Sequence, residues 1–377
     1  MFFFYLLVLI FYVTINFYLG RKIFLFIKHI TRTINPFFIA IPYAIAALPT
    51  MLSFLISEFS ESAFKRLLMA WSNYFMGIFI YLLLFSLLTD FVVLIVRLIR
   101  RRKSSEKAIF ISTSVILILT VTLYGYGLYN IRQLKTVSYE LKIEKSTDIG
   151  SLNIVMISDL HLGYIYTETQ LAERVERINS LEPDIVFIVG DIFDGNFSAL
   201  KDPDKIAKQF DRIQAKYGVY ACLGNHDAGN TFNQMTELLD STNINLLNDE
   251  FVTVDNSFVI IGRRDSSPIG EHGTGRLDIN YDLINSNLPV IVLDHQPSNY
   301  PEYPNSVDLM LSGHTHRGQI FPFNIATALY HIQDYGYYQK DSKSPYMIVT
   351  SGAGTWGPPL RSGSNCEIVN IKLIFAQ

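Results

Sequence analysis

Cysteine is scarce. Cys222 and Cys366 are the only two in 377 residues and both lie in apolar runs, which excludes a disulfide framework and favours buried thiols over a bridge. Charge is thin as well: charged residues make up 17% of the chain against 49% hydrophobic, with a mean hydropathy of +0.24. So apolar a composition excludes an ordinary soluble enzyme and calls for a membrane part beside a globular one. Several chemical signatures are missing: there is no glycine-lysine phosphate loop, no HExxH and no GxSxG elbow. Gly352 to Gly357 satisfies GxGxxG, but Pro358 and Pro359 follow at once and no dinucleotide-binding βαβ unit fits. Positive charge is lacking from residue 131 onward. Residues 1–130 hold twelve Lys and Arg against four acids, net +8, and the whole-chain net of −3 therefore leaves −11 for residues 131–377. An acidic domain repels a phosphate backbone, so no nucleic-acid partner is expected.

Long apolar runs are what the first part has. Four stretches, roughly 2–19, 34–57, 71–96 and 108–129, are long enough to cross a bilayer as helices and are apolar on every face. The second contains Pro36, Pro42 and Pro49, which predicts a kinked or partly re-entrant segment. The first lacks a basic leader and a small-residue cleavage site and reads as an anchor. Basic residues follow the first segment (Arg21, Lys22, Lys28, Arg32) and the third (Arg97, Arg100 to Lys103, Lys107), whereas Glu58 and Glu61 balance Lys65 and Arg66 between them. The positive-inside rule then places the first and third loops in the cytoplasm and everything after segment four outside it. Asp90, an acid at membrane depth, is expected to face the bundle or to pair at the interface.

Residues 131–151 connect the two parts through an alternating edge strand, Val137 to Glu144. From 152 to 377 strands alternate first with helices, near 167–181, 203–216 and 231–241, and later follow one another with few helices between. This order predicts two sheets packed together and flanked by helices.

Chemistry-bearing residues recur where the apolar runs end. Ile154 to Ile157 runs into Asp159-Leu160-His161, Ile185 to Val189 into Gly190-Asp191, and Tyr220 to Leu223 into Gly224-Asn225-His226-Asp227. Val290 to Leu293 runs into Asp294-His295, and Val307 to Leu311 into Gly313-His314-Thr315-His316-Arg317. Carboxylates, imidazoles and an amide at successive strand ends suit two metal ions in one pocket, with Asp191 able to bridge them through its two oxygens.

Taken together these residues resemble the calcineurin-like metallophosphoesterases, with D-x-H, G-D, G-N-H-D, a lone His and G-H-x-H in order across residues 150–377. The Ser-Asp-Leu-His-Leu-Gly opening and the closing Gly-Thr-Trp-Gly-Pro look like the bacterial membrane-associated branch of YkuE- and YaeI-type phosphodiesterases. The resemblance does not extend to the membrane segments. It implies a four-layer αββα sandwich, which follows the roughly four transmembrane helices read from the apolar runs, and two divalent metal ions, Mn, Fe or Zn. One ion would take Asp159, His161, Asp191 and His316, and the other Asp191, Asn225, His295 and His314. A metal-bound hydroxide would attack the phosphorus, with His226 touching the phosphate and Asp227 orienting it. Asp294 stands where a small neutral residue is usual, either to orient His295 or to add charge near the ions. Arg317, Arg361 and Trp356 are candidates to line the substrate pocket. The expected function is a membrane-anchored phosphodiesterase or phosphatase whose extracytoplasmic site takes a phosphate ester, a lipid-linked or envelope one being the expected substrate, at the membrane lipid. The competing class is a non-catalytic membrane sensor or complex subunit that retains the fold for binding.

Overall fold

A computed structural model describes residues 2–56, 59–101, 106–270 and 275–376. Glu58, Arg102 and Lys103, counted above among the charges flanking the apolar segments, lie outside the described residues. The chain divides into two compact units, Met1–Leu128 with Gly357–Pro359, and Tyr129–Trp356 with Leu360–Gln377.

The first unit is built on α1 (Phe2–Thr31), α2 (Phe37–Leu55), α3 (Ala63–Arg100) and α4 (Glu106–Asn130). Three of them, α1, α3 and α4, are long and apolar enough to cross a bilayer, while the apolar part of α2, Phe37–Ser53, is shorter. Their outward faces expose Phe11, Phe17, Phe38, Leu98 and Val121, side chains suited to lipid. The loops expected after the first and third segments begin later than the charges suggested. Arg21, Lys22 and Lys28 lie on α1, and Arg97 and Arg100 on α3. Nothing breaks α1 before Arg32, which has φ 56°, and Pro36, and long basic side chains carry their charge outward along a helix. Asp90 pairs across the bundle: Lys22 Nζ lies 2.5 Å from one oxygen and Tyr18 donates to the other at 2.6 Å.

In the second unit, β1 (Leu134–Ser146) is the expected edge strand, exposing alternate residues along much of its length. It pairs with β12 (Cys366–Ala376), followed across the sheet by β2 (Ser151–Ile157), β3 (Ile185–Val189), β4 (Val219–Cys222) and β5 (Ile244–Leu246). The second sheet runs β10 (Gly336–Tyr338), β11 (Tyr346–Val349), β9 (Leu309–Ser312), β8 (Val290–Leu293), β7 (Phe258–Gly262), β6 (Glu250–Val254). Both sheets are mixed, with β2-β3-β4 and β7-β8-β9 parallel. All five residues of β3 are buried, as expected of a strand covered on both faces.

Three apolar clusters hold the layers together. Phe187, Ile154, Ile291 and Leu309 belong to the one between the sheets, and removing Phe187 there would cost about 3–5 kcal/mol. A second cluster packs α5 (Glu168–Asn179), α6 (Pro203–Phe210) and α7 (Phe232–Asp240) on the first sheet. A third covers the outer face of the second sheet with Ile284, Tyr300 and Tyr303, from or beside short 3-10 turns. Local sequence sets the helix starts. Thr167 and Gln170 form a capping box on α5, and Asp202 caps α6 ahead of Pro203. The region expected as one helix over 203–216 ends at Phe210. A further helix, α8 (Phe323–Tyr330), follows His314 and His316.

Candidate metal centre

Five strand ends deliver the polar groups. Asp159 and His161 follow β2, Asp191 follows β3, and Asn225 to Asp227 follow β4, three parallel neighbours of one sheet. His295 follows β8, and His314 and His316 follow β9 in the other sheet. The backbone turns sharply at these exits: Asp159, His161, Asp191, His314 and His316 all have φ between 47° and 71°. Left-handed conformations at non-glycine residues cost of order 1–3 kcal/mol each and gather where function demands them. Glycine appears where the elements nearly touch. A Cβ on Gly190 (φ 74°) would lie 2.5 Å from His295 Nδ1, and one on Gly224 would strike the Asp191 carboxylate.

Three donor groups result among the described residues, and two of them combine the expected metal ligands. Asp159, His161 and His316 offer ligand atoms to one point, and Asp191, His295 and His314 to another. In the first, His161 Nε2 is 3.0 Å from His316 Nε2, which is 3.3 Å from Asp159 Oδ1. In the second, His295 Nε2 is 3.1 Å from Asp191 Oδ2, and His314 Nδ1 is 2.8 Å from Asn225 Oδ1. Asp191 Oδ2 also lies 3.6 Å from His161 Nε2, so it faces both groups. Its other oxygen accepts from His226 N at 2.8 Å, so one oxygen, not two, stands between the groups.

The donors fit a pair of cations. Ligand atoms about 2.0–2.1 Å from one ion lie roughly 2.9–3.4 Å from each other, close to the spacings seen here. His295 makes the case most sharply. Its Nδ1 meets Val189 O at 2.9 Å, which turns the Nε2 lone pair toward Asp191, and that buried Nε2 has no hydrogen-bond partner among the described residues. A lone pair facing a carboxylate repels it unless positive charge lies between them. Burial works against charge on His295, yet Asp191 and Asp159 raise its pKa well above the ordinary value. Burial also opposes charge on Asp191, but His295 and His161 hold it well below the usual carboxylate range. His314 is pushed down to about 3 by burial and by His295, and His316 well below its ordinary value by burial, His161 and Arg361. The carboxylates demand positive charge that only some of the rings can carry, and divalent cations would supply it.

The family described as calcineurin-like phosphoesterase matches residues 152–318. A transmembrane protein with metallophosphoesterase domain from Danio rerio is 32% identical over 318 residues, covering 79% of this chain and 72% of that protein. An uncharacterized metallophosphoesterase of Campylobacter jejuni is 35% identical over 298 residues, covering 76% and 77%. The chain belongs to the calcineurin-like metallophosphoesterases. The uncharacterized metallophosphoesterase YkuE of Bacillus subtilis is also similar, 29% identical over 264 residues, covering 66% of this chain and 89% of that one.

Around the donor groups of this metallophosphoesterase, several expected roles change. Asp227 does not turn toward His226. It is buried and accepts from three backbone N–H groups, Ile192 at 3.1 Å, Phe193 at 2.8 Å and Gly224 at 2.9 Å, tying the loops after β3 and β4 together. The carboxylate near the His226 ring is Asp194, whose oxygen lies within 4.8 Å of ligand atoms of both His161 and His226. Its signal in the sequence was the acid three residues after Asp191. Asp294 faces neither the imidazole nor the donor groups: Arg276 and Tyr303 bond one of its oxygens at 2.7 and 2.5 Å, and Asn299 bonds both.

Arg361 is fully buried and does not line a pocket. Its guanidinium donates to His316 Nδ1 at 3.0 Å and to the carbonyls of Gly354 and Asn365, which fixes the ring from behind. A guanidinium only donates, so the proton of a neutral His316 sits on Nε2, where a cation would displace it. Arg317 lies over the Tyr335 ring at 4.2 Å. Trp356 is 55% exposed, its ring 5.7 Å from that of His226, and Gln319 bonds both its N–H and its carbonyl at 2.9 Å. His331, at the end of the unforeseen α8, stands edge-on to His314 at 6.2 Å.

Proposed function

We propose that the chain is a membrane-anchored phosphoesterase, a phosphodiesterase or phosphatase, working through a dinuclear metal centre. The observation that carries this is Asp191 Oδ2, set between His161 at 3.6 Å and His295 at 3.1 Å. Asp159, His161, Asp191 and His316 would hold one cation, and Asp191, Asn225, His295 and His314 the other. Nitrogen and oxygen donors of this kind suit Mn, Fe or Zn. Bound together, such ions supply Lewis acidity toward a phosphoryl group and activate water at neutral pH.

The chain's own residues do the rest. The backbone N–H of His226 donates to Asp191 Oδ1 at 2.8 Å and so ties the position of His226 to that of the metal-facing carboxylate. His226 presents its ring to the leaving oxygen and donates to it as the ester bond breaks, with Asp194 steering the ring. Burial lowers the pKa of His226, so it serves as a neutral hydrogen-bond donor. Trp356 offers an exposed flat face beside it for the leaving group.

Anchoring favours a lipid-linked or envelope phosphate ester as substrate. Both α1 and α3 end in basic residues, which by the positive-inside rule belong on one side of the membrane. That requires α2 to cross, and its 19 residues fall within the spanning range of about 17–25. Four crossings put the metal-ligand domain outside the cytoplasm.

The test uses the full chain in detergent with manganese and an aryl phosphodiester. Turnover should fall to background in Asp191→Ala and by about 10²–10⁴ in His226→Gln, the latter with its metals retained. No turnover with any divalent metal, despite metal binding, would favour the sensor or subunit reading instead.

A further inference from the structure

The membrane unit carries a feature that phosphoester chemistry does not use. Leu25, Lys28, His29 and Arg32 of the α1 end and Glu106 and Ile109 of α4 line a cavity of about 360 Å³. That volume lies in the roughly 300–1,000 Å³ range of small-ligand pockets. A neighbouring cavity of about 280 Å³ shares Leu25 and Ile109 with it and adds Arg21, Lys22, Asp90 and Arg97. Ring stacking holds the wall between α1 and α4: Phe26 lies on Phe110 at 5.0 Å with 6° between the planes, and His29 lies 4.7 Å from the same ring.

The charges do not cancel. Lys22 and Asp90 neutralise each other at 2.5 Å. Without counting Arg97, Arg21, Lys28 and Arg32 then stand against Glu106, leaving +2 over the two adjoining cavities. This surplus lies at the ends of apolar helices, the depth at which a bilayer presents its lipid phosphates, and basic pockets between membrane helices bind such headgroups. Leu25 and Ile109, common to both cavities, give the site an apolar wall beside its charged one.

We infer that these adjoining cavities form a binding site for the phosphate headgroup of an anionic phospholipid, with Lys28 and Arg32 as its principal contacts. The site is separate from the metal-ligand residues and does not depend on the proposed catalysis. A free inorganic phosphate shares the same chemistry, so the experiment must separate the two sources.

The full chain, purified in detergent, is offered equal amounts of phosphatidylglycerol, phosphatidylcholine and phosphatidylethanolamine, and the retained lipid is read by native mass spectrometry. Wild type should retain phosphatidylglycerol preferentially. Lys28→Gln with Arg32→Gln should cut that preference by roughly 30-fold, the attraction that two basic side chains exert on an anionic lipid. The charge-preserving pair Lys28→Arg with Arg32→Lys should keep it, as should Arg100→Gln outside the cavities, with helical content by circular dichroism checking that each variant folds. Equal retention of phosphatidylglycerol and phosphatidylcholine by wild type, or an unchanged preference in the charge-removing pair, overturns the inference. Loss in the charge-preserving pair overturns it too, since charge would then not be what binds. Displacement of the lipid by millimolar inorganic phosphate would assign the site to free anions. A preference for phosphatidylethanolamine that vanishes in Glu106→Gln would overturn the anionic assignment.

Discussion

Removing the Asp227 carboxylate strips three buried backbone N–H groups, those of Ile192, Phe193 and Gly224, of their acceptor. Each buried donor left without a partner costs about 1–3 kcal/mol, so Asp227→Ala should lose on the order of 3–9 kcal/mol. Domains of this kind have only about 5–15 kcal/mol to lose. At about 2–4 °C per kcal/mol, the apparent melting temperature should fall by about 6 °C or more. The metal-ligand loops are what these bonds hold, so metal content should fall with it. Asp194→Asn should do the opposite. Its carboxylate is partly exposed and near two imidazoles, so melting should move by less than about 2 °C and metals should stay bound. Turnover should drop about 10–100-fold, as it does when a group supporting a metal ligand is removed. The assay pairs thermal melting and metal analysis of the full chain with steady-state hydrolysis of an aryl phosphodiester. If Asp227→Ala melts like wild type and loses only turnover, Asp227 acts on His226 and not on the three backbone N–H groups.

Three further outcomes follow from the same geometry. Gly190→Ala places a methyl 2.5 Å from His295 Nδ1 at φ 74°, so metal content measured by mass spectrometry should fall from two ions toward one. Trp356→Ala should raise KM for aryl esters several-fold more than for alkyl esters while leaving kcat within about threefold, because the indole would stack on the leaving group and be worth roughly 0.5–1.5 kcal/mol; equal effects on both substrates would refute that role. Chelation should lower the melting temperature and added manganese restore it, since ions bound only by the folded state stabilise it by mass action; an unchanged melt would mean that the donor groups hold no ion.

The strand ends were legible because apolar runs buried on both faces must stop where polar ligands begin, as β3 does before Gly190-Asp191. Residue type then limited the chemistry, and the side chains of the seven residues expected as ligands lie in two adjoining groups. Roles that depend on loop paths were not legible. Asp227 follows His226 directly, but its loop turns the carboxylate inward to backbone donors, while Asp194 arrives from the neighbouring strand exit. Arg361 was expected at the surface of a pocket, yet a cluster of carbonyls and the back of His316 satisfy it in the interior. In the membrane unit, basic residues marked segment ends too early, because α1 continues past Lys22 with its charge turned to Asp90.

The measurement that bears most directly on the central claim is anomalous diffraction from crystals of the full chain grown with manganese. Two peaks about 3.5–4 Å apart with Asp191 Oδ2 between them are expected. A single peak, or peaks away from Asp191, would contradict the claim.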